Sequence, residues 1–326
     1  MKRTLSLISA VLLLIAMLSA CSQDAPAATL PNASQPTVTE PAVSEPPMTE
    51  PVVTDPLPLE PPPSVPESVD PEFELPPVDI ISNLLQGDPL GELNCDRTEL
   101  LSVTFLDSKD DAPEDALDVS YFRNGAVLCW NKKGHVYIAA DGPIDGSIAC
   151  AGLFYLCKNI KAVTFGDAFL TTGARDMSNM FAGCSKLTKV DLSSLDTSNV
   201  VDMSGMFTHC KSLKSLDLRS WNTSSVVSLY YMFHECSALT TVNLSGWNTS
   251  NVQDMSFLFA ACQKLKKVDL TGWDTANVID MSSMFSQCTR LSNLDLSHFN
   301  TGKVTSMADF MPAGQKIDGI AWEDYF

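Results

Sequence analysis

The sequence predicts an α/β fold, a right-handed solenoid whose short parallel strands and short helices recur every 26 residues. A small N-terminal α/β cap and a disordered proline-rich stalk precede it. Three observations lead there. Cys184, Cys210, Cys236, Cys262 and Cys288 stand 26 residues apart, with Cys157 a further 27 before. Apolar residues recur at fixed offsets from each cysteine, and a fixed period of this length marks stacked units that cannot bury an apolar face alone. Finally, 16 of the 20 prolines lie between Pro26 and Pro77. That excludes helix, central strand and packed core from the segment.

The elements follow in chain order. Met1-Lys2-Arg3 is a short basic start, and the apolar run Leu5 to Leu18 is too short to span a bilayer, so residues 1–20 read as a signal peptide. Residues 21–79 repeat proline with Thr, Val and Glu, as in Glu50-Pro51-Val52-Val53-Thr54-Asp55-Pro56. Residues 22–96 hold 14 acids and no Lys or Arg. Proline stiffness and like charge make this an extended spacer. In residues 80–150, the N-terminal capping region, Val103 to Asp107 reads as a strand and Val127 to Ile138 as a hairpin turning near Lys132-Lys133-Gly134.

Residues 151–311 carry the repeats. Counting from each cysteine, apolar residues fall at +3 (Leu187 to Leu291), +6 (Val190 to Leu294), +8 (Leu192 to Leu296), +11 (Leu195, Trp221, Trp247, Trp273, Phe299), +16 (Val200 to Val304) and +19 (Met203 to Met307). Within Leu-x-x-Val/Leu-Asp/Asn-Leu, alternate apolar positions predict one strand of a parallel sheet per unit. Trp-Asn-Thr-Ser favours a turn, because these side chains bond their own backbone. Asp176, Asp202, Ser228, Asp254, Asp280 and Ser306 stand ready to cap the next segment, where Met, Met-Phe and Cys at spacings of three or four predict one or two turns of α or 3₁₀ helix. The spacing survives for one further strand, at Ile317, Ile320 and Trp322, within residues 312–326, which are read as a C-terminal cap.

Two resemblances add to this. Leu18-Ser19-Ala20-Cys21 resembles the lipobox of bacterial lipoproteins, which implies a lipid on Cys21 and attachment of the mature chain to the membrane. The repeated Cys-x-x-Leu-x-x-Val-Asp-Leu-Ser-x-Trp-Asn-Thr-Ser-x-Val-x-Asp-Met-Ser-x-Met-Phe resembles the BspA-like leucine-rich repeats of bacterial surface lipoproteins. That resemblance implies a leucine-rich-repeat-like solenoid at the bacterial cell surface, outside the cytoplasm, with a role in attachment or ligand binding.

Composition narrows the chemistry. From Arg97 onward the chain has 25 acids against 19 bases. That balance argues against a nucleic-acid partner, which needs a positive surface. His135, His209, His234 and His298 occupy different positions in the pattern, and no H-E-x-x-H, G-x-S-x-G or phosphate-binding glycine loop is present. No enzymatic activity, cofactor or metal is expected, although a hydrolase with a site in residues 80–150 stays open as a remote alternative. The cysteine column reads as small core residues. A disulfide among Cys95, Cys129 and Cys150 is open in an exported protein. The tryptophan column reads as core before carbohydrate platform. A row of outward carboxylates reads as solvated groups balanced by nearby bases rather than a Ca²⁺ site.

Since inward positions are fixed by packing, recognition is expected on the polar strand face. Candidate ligand-binding residues are Asp191, Asp217, Arg219, Asp269, Thr271 and Asp295, on a face five strands wide or roughly 20 Å at ~4.8 Å per strand. The partner is an extracellular glycan or protein; the alternative is a structural surface or wall-associated protein without a specific ligand.

Overall fold

Alternating burial in the segments before the repeats produces the longest strands of the protein. The computed structural model describes residues 84–93, 95–292 and 294–311, with the backbone of 316, 317, 320 and 321. The signal peptide, Cys21 and the spacer lie outside the described residues, as does most of the C-terminal cap. The strands are β1 (Ser102–Leu106), β2 (Leu117–Asp118), β3 (Val127–Lys132), β4 (His135–Ala140), β5 (Ile144–Asp145), β6 (Ala162–Thr164) and β7 (Phe169–Leu170), then β8 (Ser215–Asp217), β9 (Thr241–Asn243), β10 (Lys316–Ile317) and β11 (Ile320–Ala321).

The expected hairpin forms. β3 and β4 pair antiparallel from Val127↔Ala140 to Lys132↔His135. Lys133 and Gly134 turn it with φ of 55° and 85°, both left-handed as a two-residue hairpin turn requires. A Cβ at Gly134 would lie 2.9 Å from the Glu99 carbonyl oxygen, so glycine is also needed for space. The larger sheet runs β2-β3-β4-β1-β6. β1 is parallel to β4 and to β6, which joins this region to the first unit through Val103↔Val163. Arg97 strengthens the join by donating to the carbonyls of Leu153 and Tyr155 at 3.1 and 3.3 Å.

The expected α/β leucine-rich-repeat-like solenoid is corrected by what forms. Among the described residues the regular elements are mostly strands with little helix, set in small sheets of mixed sense. Among the described residues helix is limited to three 3₁₀ turns of three residues, Gly91–Leu93, Arg97–Glu99 and Gly166–Ala168. In the strand segments of the five Cys184-to-Cys288 units only β8 and β9 form, as a parallel pair with Leu216↔Val242 in register. Among the described residues the face expected to bind a ligand is therefore not a five-stranded sheet. β10 and β11 pair antiparallel with each other, in place of one further parallel strand.

Hydrogen bonding explains why the Met-Phe-Cys segment is not helical. An α-helix sends every N–H to the carbonyl four residues back. Between Met203 and Cys210 the N–H groups divide instead. Met203, Gly205, Phe207 and His209 donate forward to Ser228, Tyr230, Met232 and His234 of the next unit, while Met206, Thr208 and Cys210 donate three residues back. The same division recurs in the next two units. Where the chain must turn its N–H outward, φ is positive: Asn179, Gly205, Tyr231, Phe257, Ser283 and Asp309 form one such column, and Leu156, Gly183, His209, Glu235, Ala261 and Gln287 another. A left-handed residue other than glycine costs about 1–2 kcal/mol. Each residue of the two columns up to Ser283 makes a forward bond of 2.7–3.1 Å, and a bond worth ~1 kcal/mol offsets much of that cost.

The apolar columns are placed as the spacing predicts. Every position at +3, +8 and +11 is buried, and Val190, Val304 and Met307 alone among the +6, +16 and +19 columns are half-buried. Phe181, Phe207, Phe233, Phe259 and Phe285 stack ring on ring, with centroids 5.4–5.7 Å apart and planes within 7°. Asp176, Asp202, Asp254 and Asp280 do cap, accepting from the N–H two residues on at 2.7–2.8 Å, and Ser228 accepts from that of Tyr230 at 3.3 Å. What they cap is a turn.

Candidate functional site

The six candidate ligand-binding residues lie at exposed positions, and local turns govern them. Asp191 accepts from the N–H and hydroxyl of Ser193, Asp295 from those of Ser297, and Asp269 from the N–H of Thr271. Hydrogen bonds from these partners hold all three carboxyls below their usual range. Asp217 and Arg219 are brought together by a bidentate pair, with Nε 2.9 Å from Oδ1 and Nη2 2.7 Å from Oδ2. The guanidinium keeps that carboxyl low too. The row thus consists of carboxylates bonded two residues on, each with lone pairs left toward solvent, rather than a chain of groups converging on one ion.

Two columns weighed as sites are core. Each thiol from Cys184 to Cys288 donates to the carbonyl of a phenylalanine in the preceding unit at 3.0–3.2 Å. Burial pushes these thiols far toward the protonated form, to about 12 for Cys236 and Cys288. Cys95, Cys129 and Cys150 are free thiols in this structure. Trp221, Trp247 and Trp273 stack at 6.2–6.4 Å and are 3–4% exposed, which leaves no open ring face for a sugar.

Sequence reasoning missed a third buried column. Thr171, Thr197, Thr223, Thr249 and Thr275 are buried, and each hydroxyl donates to a backbone carbonyl of the next unit, at Asp196, Asn222, Asn248, Asp274 and Asn300, at 2.8–3.0 Å. For the last three, the same hydroxyl also accepts the N–H of that residue at 2.7–2.8 Å. The signal was present as threonine in phase, although threonine beside Asn and Ser also favours exposed turns.

Sequence reasoning also missed a polar cluster. His209 and Glu235 occupy the same position in successive units, and the fold brings His209 Nδ1 to 2.9 Å from Glu235 Oε2. Lys211 Nζ lies 2.9 Å from the same oxygen. The His209 and His234 rings meet edge to face at 5.5 Å. Burial lowers His234 to about 4, with the Glu235 charge opposing and His209 and Lys211 adding. Burial works against ionised Glu235, yet the Lys211 hydrogen bond and the nearby cations leave its carboxyl below the usual range. Elsewhere, Ser102 Oγ and His135 Nδ1 lie 2.8 Å apart in an exposed setting. Among the described residues no carboxylate is hydrogen-bonded to His135, so no catalytic triad is assembled there.

Comparison with known proteins gives one family. Residues 149–267 and 229–320 match the family described as "Mycoplasma protein of unknown function, DUF285", together more than half of the chain. No curated protein and no solved structure matches.

Proposed function

Because the chain belongs to the DUF285 family, whose description names no activity, we propose a function from the chain's own layout: a lipid-anchored protein of the bacterial cell surface that binds an extracellular glycan or protein through its repeats. In this reading Cys21 carries the lipid, residues 22–79 act as the spacer, and Asp191, Asp217, Arg219, Asp269, Thr271 and Asp295 contact the ligand. One observation carries it. Successive units bury the same apolar columns, while the polar residues between them stay exposed and differ from unit to unit. Packing therefore leaves them free to vary with a partner.

A short polar row favours weak contacts multiplied over many copies on one cell. The test places the mature chain on beads, against glycan arrays and extracellular protein surfaces. Replacement of Asp217, Arg219, Asp269 and Thr271 by alanine together removes both members of each turn pair and leaves no orphaned partner. Bead attachment should fall while the thermal midpoint stays. Attachment equal to wild type would place the ligand elsewhere. A wild-type chain that attaches to nothing would favour a structural surface protein.

A further inference from the structure

The repeat states what packing needs at each position, so a departure from it that assembles a constellation points to something besides packing. The residue before each cysteine is Leu156, Gly183, His209, Glu235, Ala261 and Gln287, and the one before that is Tyr155, Ala182, Thr208, His234, Ala260 and Ser286. Alanine, glycine and leucine serve there, so neither imidazole nor carboxylate is required by the fold. Yet two neighbouring units place two imidazoles and a carboxylate together.

We propose that His209, His234 and Glu235 form a binding site for a divalent first-row transition ion of the Zn²⁺ class. One ligand atom from each residue lies within 4.8 Å of the others. In a tetrahedral Zn²⁺ site, bonds of ~2.0–2.2 Å set ligand atoms roughly 3.3–3.5 Å apart, so side-chain rotation alone closes this set. Its backbone is fixed: His209 N–H donates to the His234 carbonyl at 2.8 Å and Glu235 N–H to that of Ala260 at 2.9 Å. Imidazole nitrogen with carboxylate oxygen is a donor set that suits Zn²⁺ and its neighbours rather than Ca²⁺ or Mg²⁺.

A second observation points to a ligand. His234 Nδ1 is buried and has no hydrogen-bond partner, and a buried polar atom without one is costly. A metal ion satisfies such a nitrogen without needing a proton. The ammonium of Lys211 now supplies the positive charge beside Glu235. Its side chain is 52% exposed and can swing into solvent when an ion takes its place. His209 and Glu235 are about one-third exposed, which gives the ion a way in and leaves a coordination position open to water or to a donor from a bound partner.

The test uses the untagged mature chain, stripped with chelator and titrated with Zn²⁺ by calorimetry and with Co²⁺ by visible absorption. Wild type should bind one equivalent and gain thermal stability on binding. Glu235→Gln and His209→Asn should each weaken binding by more than roughly tenfold, the asparagine suiting the left-handed backbone at 209. Lys211→Met guards against a merely structural role. A static ion-pair network would only lose stability, whereas a metal site freed of a competing ammonium should bind more tightly. No binding by wild type overturns the proposal. Equal binding by the Glu235 and His209 variants does so as well, as does weaker binding by Lys211→Met.

Discussion

Replacing Thr249 with valine keeps the branched shape and removes one hydroxyl, so it isolates what the buried threonine column contributes. In the folded protein that hydroxyl donates to the Asp274 carbonyl and accepts from the Asp274 N–H, both at 2.8 Å. Thr249 is 1% exposed. Two bonds at ~1 kcal/mol net each give a loss of roughly 2 kcal/mol, more where water cannot reach the abandoned backbone groups. For a folded region of this size 1 kcal/mol moves the midpoint by ~2–4 °C, so Thr249→Val should unfold about 4–8 °C lower. The control is Thr241→Val, an exposed position on β9, which should stay within ~0.5 kcal/mol. Urea unfolding followed by the fluorescence of the buried tryptophans and by circular dichroism measures both. If the two variants lose the same stability, the threonine ladder is incidental and the apolar columns alone hold successive units together.

Other outcomes follow from the buried groups. Burial raises the Asp254 carboxyl above its ordinary value; the Ser256 bonds oppose this, and the Asp280 and Asp202 charges add to it. A folded pKa above the unfolded one means that ionisation costs stability above about 3.8, increasingly as pH rises through the folded value, and costs nothing below it. Asp254→Asn, whose side-chain oxygen can still accept from Ser256, should therefore be more stable than wild type at pH 7, with the difference vanishing toward pH 3. A pH-independent difference would contradict the burial argument. Maleimide labelling of the native chain, read by mass spectrometry, should leave Cys184, Cys210, Cys236, Cys262 and Cys288 unmodified until denaturant is added. Modification of any of them in the folded protein would mean that the column is neither as buried nor as fully protonated as its packing requires.

The sequence made some levels of this structure legible and hid others for physical reasons. Apolar positions were readable because burial depends on residue type and spacing, and Leu187, Leu213, Leu239, Leu265 and Leu291 all lie in the core. The β3–β4 hairpin was readable because Lys133-Gly134 supplies the local geometry a tight turn needs. The helix expected from Met203 to Cys210 failed because spacings of three and four also describe two successive turns with left-handed corners. Nothing in Tyr231, Phe257 or Glu235 favours φ near 55° on its own. Only a neighbouring unit offering carbonyls to their N–H groups holds them there, and single-residue preference carries no trace of that.

The polar face and the His–Glu cluster separate along the same line. Asp191, Asp269 and Asp295 recur with a hydroxyl two residues on, so their pattern is explained by turn chemistry before any ligand is invoked. Whatever recognition they provide must come from differences laid over that pattern, such as Arg219 where other units carry Ser193, Ser245, Thr271 or Ser297. His209 and Glu235 stand in a column where packing accepts alanine, glycine or leucine. They also sit on a backbone already fixed by forward hydrogen bonds, with a buried ring nitrogen of His234 left unpaired beside them. In a repeated structure, conformity is explained by folding, and the residues that no fold requirement explains are the ones left for chemistry to explain. By that criterion the cluster spanning the His209 and Glu235 units is a sharper site than the longer and more regular row of carboxylates.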